Sequence, residues 1–237
     1  MRYPTVLFDV GETLIGPSMR FGEVYARVFG ELGIDLPADV FETAVYAALD
    51  RISREIPRGR DRYAYFPGGE EEYWLRFCTM AVELATERPI ERGLIKQALE
   101  KFWTVFSSAE AWTVFPDVLP ALQSLKRAGV RLGVVSNWDS RLPRVLELLE
   151  LADYFDAVGV SHLEGVEKPA PQLFHRVLER LGARPEEALH IGDLPEMDLA
   201  GAEAAGIDCL LVDRRGRLDG MPRTIRDLSP LPDLVRE

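Results

Sequence analysis

The sequence predicts an α/β fold: a doubly wound parallel sheet with an inserted helical cap domain. From Pro116 onward, short continuous apolar runs alternate with helical segments, which is the pattern of a parallel sheet covered on both faces. Between the first strand and that region, about ninety residues show only helical periodicity. We therefore expect a discontinuous core of residues 1–15 and 112–237, with residues 16–111 inserted as the cap.

The first core strand is the short apolar run at residues 4–8, which leads directly into Asp9. The segment that follows carries apolar residues at helical spacing, so that one face of each helix is apolar. This spacing predicts four cap helices, near residues 21–32, 40–52, 74–84 and 94–106. Residues 51–69 are rich in arginine, proline, glycine and tyrosine, and predict a long loop between the second and third helices.

The region after Pro116 predicts at least four further strands and four helices. We expect strands at residues 130–136, 157–160, 188–192 and 209–212, and helices at residues 117–127, 140–150, 171–181 and 196–205. Glycines stand just beyond several of these helices, as is common where a helix ends. Together with the first strand, this pattern predicts a parallel sheet of five strands or more.

Composition favours a globular cytoplasmic protein with no nucleic-acid or membrane partner. The net charge is −11 and the pI is near 4.9, which argues against a nucleic-acid-binding surface. No segment resembles a transmembrane span, and no secretory leader precedes the first strand. Cys78 and Cys209 lie in apolar surroundings and are expected to be free thiols. Scarce asparagine and lysine beside many arginines favour a thermophile, although a GC-rich genome favours the same usage.

Carboxylates follow two of the predicted strands at the sheet edge where open α/β folds bind ligands. Asp9 follows the first strand, and Asp193 and Asp198 form a Gly-Asp-x-x-x-x-Asp pattern after the strand at 188–192. Hard carboxylate oxygens suit Mg²⁺. Acidic residues are also common at helix starts without any metal, because the helix dipole favours them. Because the two segments follow strands that end at the same edge of the predicted sheet, however, the three aspartates together predict a Mg²⁺ site.

Neutral and basic groups complete this edge. Ser136 and Asn137 end the second core strand, where a hydroxyl and an amide can bind phosphate or carboxylate oxygens. Ser136 could instead cap the next helix, but Asp139 can fill that position. Lys168 precedes a proline and could neutralise both a nucleophile and an incoming anion. We therefore expect a small anionic substrate.

These four segments resemble the haloacid dehalogenase (HAD) superfamily, in its helical-cap group. The resemblance implies phosphoryl transfer through an aspartyl-phosphate on Asp9, with Lys168 as the second catalytic residue. It implies that Ser136 contacts the transferred group, with Asn137 beside it in the substrate site. It also implies Mg²⁺ held by Asp9, Asp193 and the Gly11 carbonyl, with Asp198 acting from behind these ligands or through water. The cap has no sequence-specific match, so these assignments rest on the core motifs.

Gly11 departs from the family pattern. Family phosphatases carry there a second aspartate that protonates the leaving group and then activates water, a contribution of about 10²–10⁴-fold. Glu12 is acidic, but adjacent side chains point to different sides. Superfamily dehalogenases also lack the second aspartate, yet they typically have an aromatic residue there and lack the metal pattern. The leading hypothesis is a Mg²⁺-dependent phosphatase; a metal-independent 2-haloacid dehalogenase and a weakly catalytic binding protein are the alternatives.

Overall fold

In the computed structural model of the chain, which describes residues 2–236, the core is a six-stranded sheet. The described residues contain eight strands in all, which are β1 (Thr5–Phe8), β2 (Ile15–Pro17), β3 (Trp112–Val114), β4 (Arg131–Ser136), β5 (Ala157–Val160), β6 (Ala188–Gly192), β7 (Asp208–Val212) and β8 (Thr224–Ile225). Six of them pair in the order β5-β4-β1-β6-β7-β8, all in parallel, and β2 pairs with β3 separately. The predicted doubly wound parallel sheet is confirmed.

Helices occupy both the insert and the region between the core strands. They are α1 (Phe21–Glu31), α2 (Ala38–Glu55), α3 (Arg62–Tyr65), α4 (Gly69–Thr86), α5 (Arg92–Phe106), α6 (Val118–Arg127), α7 (Leu142–Leu148), α8 (Ser161–Glu164), α9 (Pro171–Leu181), α10 (Ala200–Ala204) and α11 (Leu231–Leu234). A π-helical turn, Pro195–Leu199, leads into α10. Of the helices in residues 2–236, none combines the length and hydropathy needed to span a bilayer.

The sheet is buried on both faces. Side chains alternate along each strand, and Leu7 and Val135 join a cluster with the apolar side of α9. Val6 and Val134, which point to the opposite face, are equally inaccessible to solvent. Because neither face is wet, the strands read in the sequence as continuous apolar runs.

The chain divides into two compact units. The first comprises residues 1–16, Arg58–Asp61 and 114–237, and the second comprises residues 17–57 and 62–113. Four long helices form the second unit around an aromatic cluster in which Tyr25 stacks on Phe102 at 4.3 Å between ring centroids. The assignment of residues 16–111 as a cap to a catalytic core stays a prediction.

Three details of the fold differ from the sequence-based expectations. The segment 51–69 is not one loop: α2 continues to Glu55, α3 lies within the segment, and Arg58–Asp61 groups with the first unit, where the Glu167 N–H donates to the Gly59 carbonyl. The helix expected at 196–205 is a π-helical turn followed by α10. The edge strand β8 was not expected, because two residues are too short to show a period.

Candidate active site

The carboxyl ends of three adjacent strands bring the predicted polar residues together. β1 lies between β4 and β6, so Asp9, Ser136 and the residues after Gly192 share one edge of the sheet. The Asp9 N–H donates to the Ile191 carbonyl at 2.8 Å, which extends the β1–β6 pairing to Asp9 itself. The position of Asp9 is therefore fixed by the sheet.

Asp9 is held through one of its two oxygens. Its Oδ1 accepts hydrogen bonds from the Lys168 ammonium at 2.6 Å and from the Ser136 hydroxyl at 3.1 Å. All three side chains are buried. Among the described residues, none donates a hydrogen bond to Asp9 Oδ2. The contacts therefore orient the carboxylate and leave the lone pairs of one oxygen available for chemistry.

Lys168 joins two carboxylates that are far apart in the chain, those of Asp9 and Asp198. Its ammonium donates to Asp198 Oδ1 at 2.7 Å as well as to Asp9, and its side chain is only 2% exposed. Burial alone would lower the pKa of Lys168, but the charges of Asp198 and Asp9 raise it above its usual value. Lys168 is therefore a permanent cation at this edge, as the sequence predicts.

Asp198 is saturated with hydrogen bonds. Besides Lys168, His190 Nε2 lies 2.9 Å from its Oδ1, and Oδ2 accepts the backbone N–H groups of Asp193 and Leu194 at 3.1 and 3.0 Å. A Cβ at Gly192 would overlap the carboxyl group of Asp198, so glycine is required there. Four donors leave this carboxylate little capacity as a direct metal ligand, which suits the predicted position behind the metal.

Asn137 contacts the Lys168 backbone through both ends of its side chain. Its side-chain amide donates to the Lys168 carbonyl at 3.0 Å, and its Oδ1 accepts the Lys168 backbone N–H at 2.7 Å. Both ends of the amide are therefore engaged with the backbone that carries the lysine. Asn137 is placed to position Lys168, and its contact with substrate stays a prediction.

The three aspartates form the only group of its kind found among residues 2–236. Asp9, Asp193 and Asp198 each offer one oxygen, and these oxygens lie within 4.8 Å of one another. Burial raises the pKa of Asp193 to about 8, and the charges of Asp9 and Asp198 add to the increase. Burial likewise raises the pKa of Asp9, which Lys168 only partly offsets. A hard divalent cation would relieve this repulsion, so the donor set fits Mg²⁺.

In contrast to Asp9 and Asp193, Asp198 has a lowered pKa. Burial alone would raise its pKa, but the Lys168 charge and the His190 hydrogen bond hold the pKa of Asp198 well below its usual range. His190 is fully buried in β6 and meets the Phe174 ring edge-on at 4.9 Å. It is a buried histidine of the core, and its hydrogen-bond partner is a site carboxylate. The one sequence feature that could have indicated this contact is the position of His190, three residues before Asp193.

Gly11 faces an indole. A Cβ at Gly11 would lie 3.5 Å from Cζ3 of Trp138, an ordinary van der Waals contact, and the φ angle of Gly11 is not positive. A half-buried tryptophan therefore stands beside the position at which family phosphatases carry their second aspartate. No sequence pattern could have indicated this neighbour, because Gly11 and Trp138 follow different strands.

The Glu12 carboxylate is bound by an arginine from a distant part of the chain. Its backbone has a positive φ of 56°, and its carboxylate accepts two hydrogen bonds from Arg215, at 2.9 Å from Nε and 2.6 Å from Nη2. A bidentate guanidinium pair fixes the carboxylate in orientation. The partner lies 203 positions along the chain, so no local pattern could have revealed it.

The comparisons with known proteins agree with this arrangement. The chain is 30% identical to haloacid dehalogenase-like hydrolase domain-containing protein 3 of Bos taurus, over 86% of this chain and 80% of that protein. It is 31% identical to a ribulose-1,5-bisphosphate 5-phosphatase of Halopiger xanaduensis, over 88% and 84%. The crystal structure of a HAD phosphatase from Thermococcus onnurineus aligns with a TM-score of 0.66 and 26% identity, covering 98% of this chain and 97% of that one.

One further match covers most of the chain and identifies its family. The family model described as haloacid dehalogenase-like hydrolase matches residues 3–206, a range that contains Asp9, Ser136, Lys168 and the Asp193–Asp198 turn. Motifs, sheet order and whole-chain similarity thus coincide, and the chain belongs to the haloacid dehalogenase-like hydrolases.

Proposed function

We propose that this hydrolase is a Mg²⁺-dependent phosphatase that acts on a small phosphorylated compound through an aspartyl-phosphate on Asp9. The observation that carries the proposal is the Asp9 carboxylate, held at Oδ1 by Lys168 and Ser136 beside a second, strongly perturbed aspartate, Asp193. A relative named as a sugar-bisphosphate phosphatase supports the same reaction class.

In this reaction Asp9 is the nucleophile, and Oδ2 is the oxygen that we assign to attack at phosphorus. The bond from phosphorus to the leaving-group oxygen breaks as the aspartyl-phosphate forms. Ser136 and Lys168 keep the carboxylate in position, and the ammonium offsets the negative charge of the incoming phosphoryl group. Asn137 fixes the lysine backbone, and Asp198 fixes its ammonium. Water then attacks the phosphorus of the aspartyl-phosphate, which returns the free carboxylate and releases orthophosphate.

Asp9, Asp193 and the Gly11 carbonyl are the groups that would hold Mg²⁺, with Asp198 behind them. When bound, the cation supplies Lewis-acid stabilisation of phosphoryl oxygens. The chain's own residues supply the nucleophile, the fixed ammonium and the orientation.

A metal-independent dehalogenase is the second candidate, favoured by the absence of a side-chain carboxylate at Gly11. The direct test is turnover of a phosphate-ester panel and of 2-haloacids, each with and without Mg²⁺. We expect Mg²⁺-dependent release of phosphate and no release of halide. Halide release without added metal would establish the dehalogenase instead.

Removing the Asp193 carboxylate should weaken metal binding. In Asp193→Asn we expect Mg²⁺ affinity to fall by at least about tenfold, because even outer-sphere partners of a metal contribute 10–100-fold. In the wild type, affinity should rise from pH 6 to pH 8, since protonated Asp193 must lose its proton, with a pKa of about 8, before it can ligate. Titration calorimetry measures both.

The matched control is Asp153→Asn, an exposed aspartate in the turn before β5. Its Mg²⁺ affinity should equal that of the wild type. Equal affinities in all three proteins would remove Asp193 from the metal site.

Restoring an acid at position 11 should help poor leaving groups. In Gly11→Asp we expect kcat/KM for an alkyl phosphate to rise towards the lower end of the ~10²–10⁴-fold range for general acid catalysis, with little gain for an aryl phosphate. The backbone accepts the change, because φ is not positive and the Cβ would make an ordinary contact with Trp138. Kinetics on both esters and a melting curve provide the test. A folded, metal-binding mutant with no selective gain on the alkyl ester would contradict the lost-acid explanation.

A further inference from the structure

One buried titratable side chain beside the site has no part in the mechanism above, and it is His190. Its side chain is inaccessible to solvent and belongs to β6. In register it lies between Leu7 of β1 and Cys209 of β7, which share an apolar cluster with Phe174. The Phe174 ring meets the imidazole edge-on at 4.9 Å. His190 is therefore an imidazole set among apolar side chains.

One of the two imidazole nitrogens is hydrogen-bonded. Nε2 lies 2.9 Å from Asp198 Oδ1, whereas Nδ1 is buried and has no hydrogen-bond partner within residues 2–236. A carboxylate oxygen only accepts, so Nε2 carries a proton and donates it. A buried polar nitrogen without a partner costs free energy that an apolar side chain would avoid. The polar contact that the ring does make is directed at the site.

Asp198 connects this contact to the lysine of the site. Its Oδ1 accepts from the Lys168 ammonium at 2.7 Å as well as from His190, and the same ammonium donates to Asp9 Oδ1 at 2.6 Å. Three hydrogen bonds thus join the imidazole to Asp9, and all four side chains are buried. Hydrogen bonds in such a dry network polarise one another, so the strength of one depends on the next.

Two carboxylates compete for one ammonium in this network. Asp198 and Asp9 accept from Lys168 at nearly equal distances, so the balance between them places the lysine. The His190 N–H uses part of the acceptor capacity of Asp198 Oδ1 and disperses its negative charge. Without that donor, Asp198 would hold the ammonium more strongly, and Lys168 would be drawn away from Asp9.

We propose, resting on the phosphatase function above, that His190 is a positioning residue: by donating to Asp198, it keeps the Lys168 ammonium shared with Asp9. The imidazole touches no substrate and transfers no proton in the reaction. It acts through Asp198 and the lysine, and its effect is to hold the positive charge where the phosphoryl group arrives.

Two substitutions separate the hydrogen bond from the packing of the ring. His190→Leu removes the ring and the donor, whereas His190→Gln removes the ring and retains an N–H for Asp198. We expect kcat/KM for 4-nitrophenyl phosphate with Mg²⁺ to fall by about 10–100-fold in His190→Leu, the usual effect of losing an outer partner of a metal site. His190→Gln should keep most of the wild-type value. Equal losses in the two variants would show a packing role and overturn the proposal.

His175→Leu is the matched control. This histidine is exposed on α9, and its Nε2 lies 3.2 Å from the Ala205 carbonyl. Its kcat/KM should match the wild type. A wild-type kcat/KM in His190→Leu as well would overturn the proposal.

A double-mutant cycle tests whether His190 acts through the lysine. In Lys168→Met the ammonium is gone, so adding His190→Leu should lower kcat/KM no further. Residues that act independently would instead multiply their effects. A further loss of about 10–100-fold in the double variant would place His190 outside this network and contradict the proposed role.

The position of the ammonium can also be observed without turnover. The chain has four lysines, so isotope-labelled lysine gives few ammonium NMR signals, and Lys168→Arg identifies the signal of Lys168. In the metal-free protein, Asp9→Asn should shift this signal, because the ammonium contacts Asp9. The shift should persist in the His190→Gln background and shrink in the His190→Leu background. An equal shift in all three backgrounds would refute the positioning role.

These measurements separate the inference from the phosphatase function on which it rests. If the wild type releases no phosphate from the ester panel and the NMR shift depends on His190 as expected, the function is refuted and the positioning of Lys168 by His190 is upheld. If turnover is normal and His190→Leu changes neither kcat/KM nor the NMR shift, only the further inference is refuted.

Discussion

Asp9→Asn should abolish turnover while leaving the fold intact. The amide cannot form the aspartyl-phosphate, so we expect kcat/KM for 4-nitrophenyl phosphate to fall by about 10⁴-fold or more, as for nucleophiles elsewhere. The residue makes its contacts through Oδ1, and an asparagine oxygen can accept the same two hydrogen bonds. The loss should therefore be one of chemistry and not of geometry.

The thermal stability of Asp9→Asn, in contrast to its activity, should not fall. Burial raises the pKa of Asp9, which means that its charged form is disfavoured in the folded state relative to the unfolded chain. A neutral amide removes that penalty at pH 7 and reduces repulsion of Asp193. We expect the Tm of the metal-free variant to equal or exceed that of the wild type. The Tm gain from added Mg²⁺ should shrink, because one ligand is lost.

Activity and melting curves of wild type, Asp9→Asn and the exposed control Asp153→Asn test this prediction together. A variant that keeps more than about one per cent of wild-type kcat/KM would rule out covalent catalysis at Asp9. A fall in Tm as large as the one predicted below for Lys168 would show instead that the carboxylate is needed for folding.

Lys168→Met should be costly to both activity and stability. The ammonium lies between two buried carboxylates, at 2.6 Å from Asp9 and 2.7 Å from Asp198. Methionine fills similar space but leaves both carboxylates without their cation. Removing one partner of a buried ion pair typically costs about 3–5 kcal/mol, which corresponds to a Tm lower by about 6–20 °C for a chain of this size.

The activity should fall by about 10²–10³-fold, the usual effect of losing one fixed electrostatic group in an active site. Added Mg²⁺ should recover part of the lost Tm, because a divalent cation can neutralise the same carboxylates. Lys126→Met is the matched control: its ammonium pairs with Asp156 at 2.8 Å on the half-exposed surface, where such pairs contribute little. Its Tm and kcat/KM should match the wild type.

Lys168→Arg adds a further control, since it keeps the charge but needs more room at a site where lysine is 2% exposed. It should be more stable than Lys168→Met and less active than the wild type. If Lys168→Met had the same Tm and kcat/KM as the wild type, the lysine would be neither the structural cation nor the electrostatic group described above.

The sequence alone was sufficient for the class of fold and for the residues at the strand ends. Local periodicity determines whether a segment can bury one face or two, and so the strands at 157–160 and 188–192 and the helix at 171–181 coincide with β5, β6 and α9. Because parallel strands end at a common edge, the positions of Asp9 and Asp193 after two such strands already predicted that they lie near each other. The elements that local periodicity did not predict correctly are short or irregular: the two-residue β8 and the π-helical turn before α10.

Only the tertiary structure decided what each polar group touches. Asn137 bonds to the Lys168 backbone, His190 to Asp198, and Glu12 to Arg215, and none of these choices follows from the residue's own surroundings in the chain. The physical reason is that a hydrogen bond or a ring contact depends on ångström-scale placement across neighbouring strands and loops. Periodicity sets the direction of a side chain, whereas the order of strands in the sheet sets its partner. The same ordering brings Trp138 beside Gly11, where the sequence showed only a missing acid.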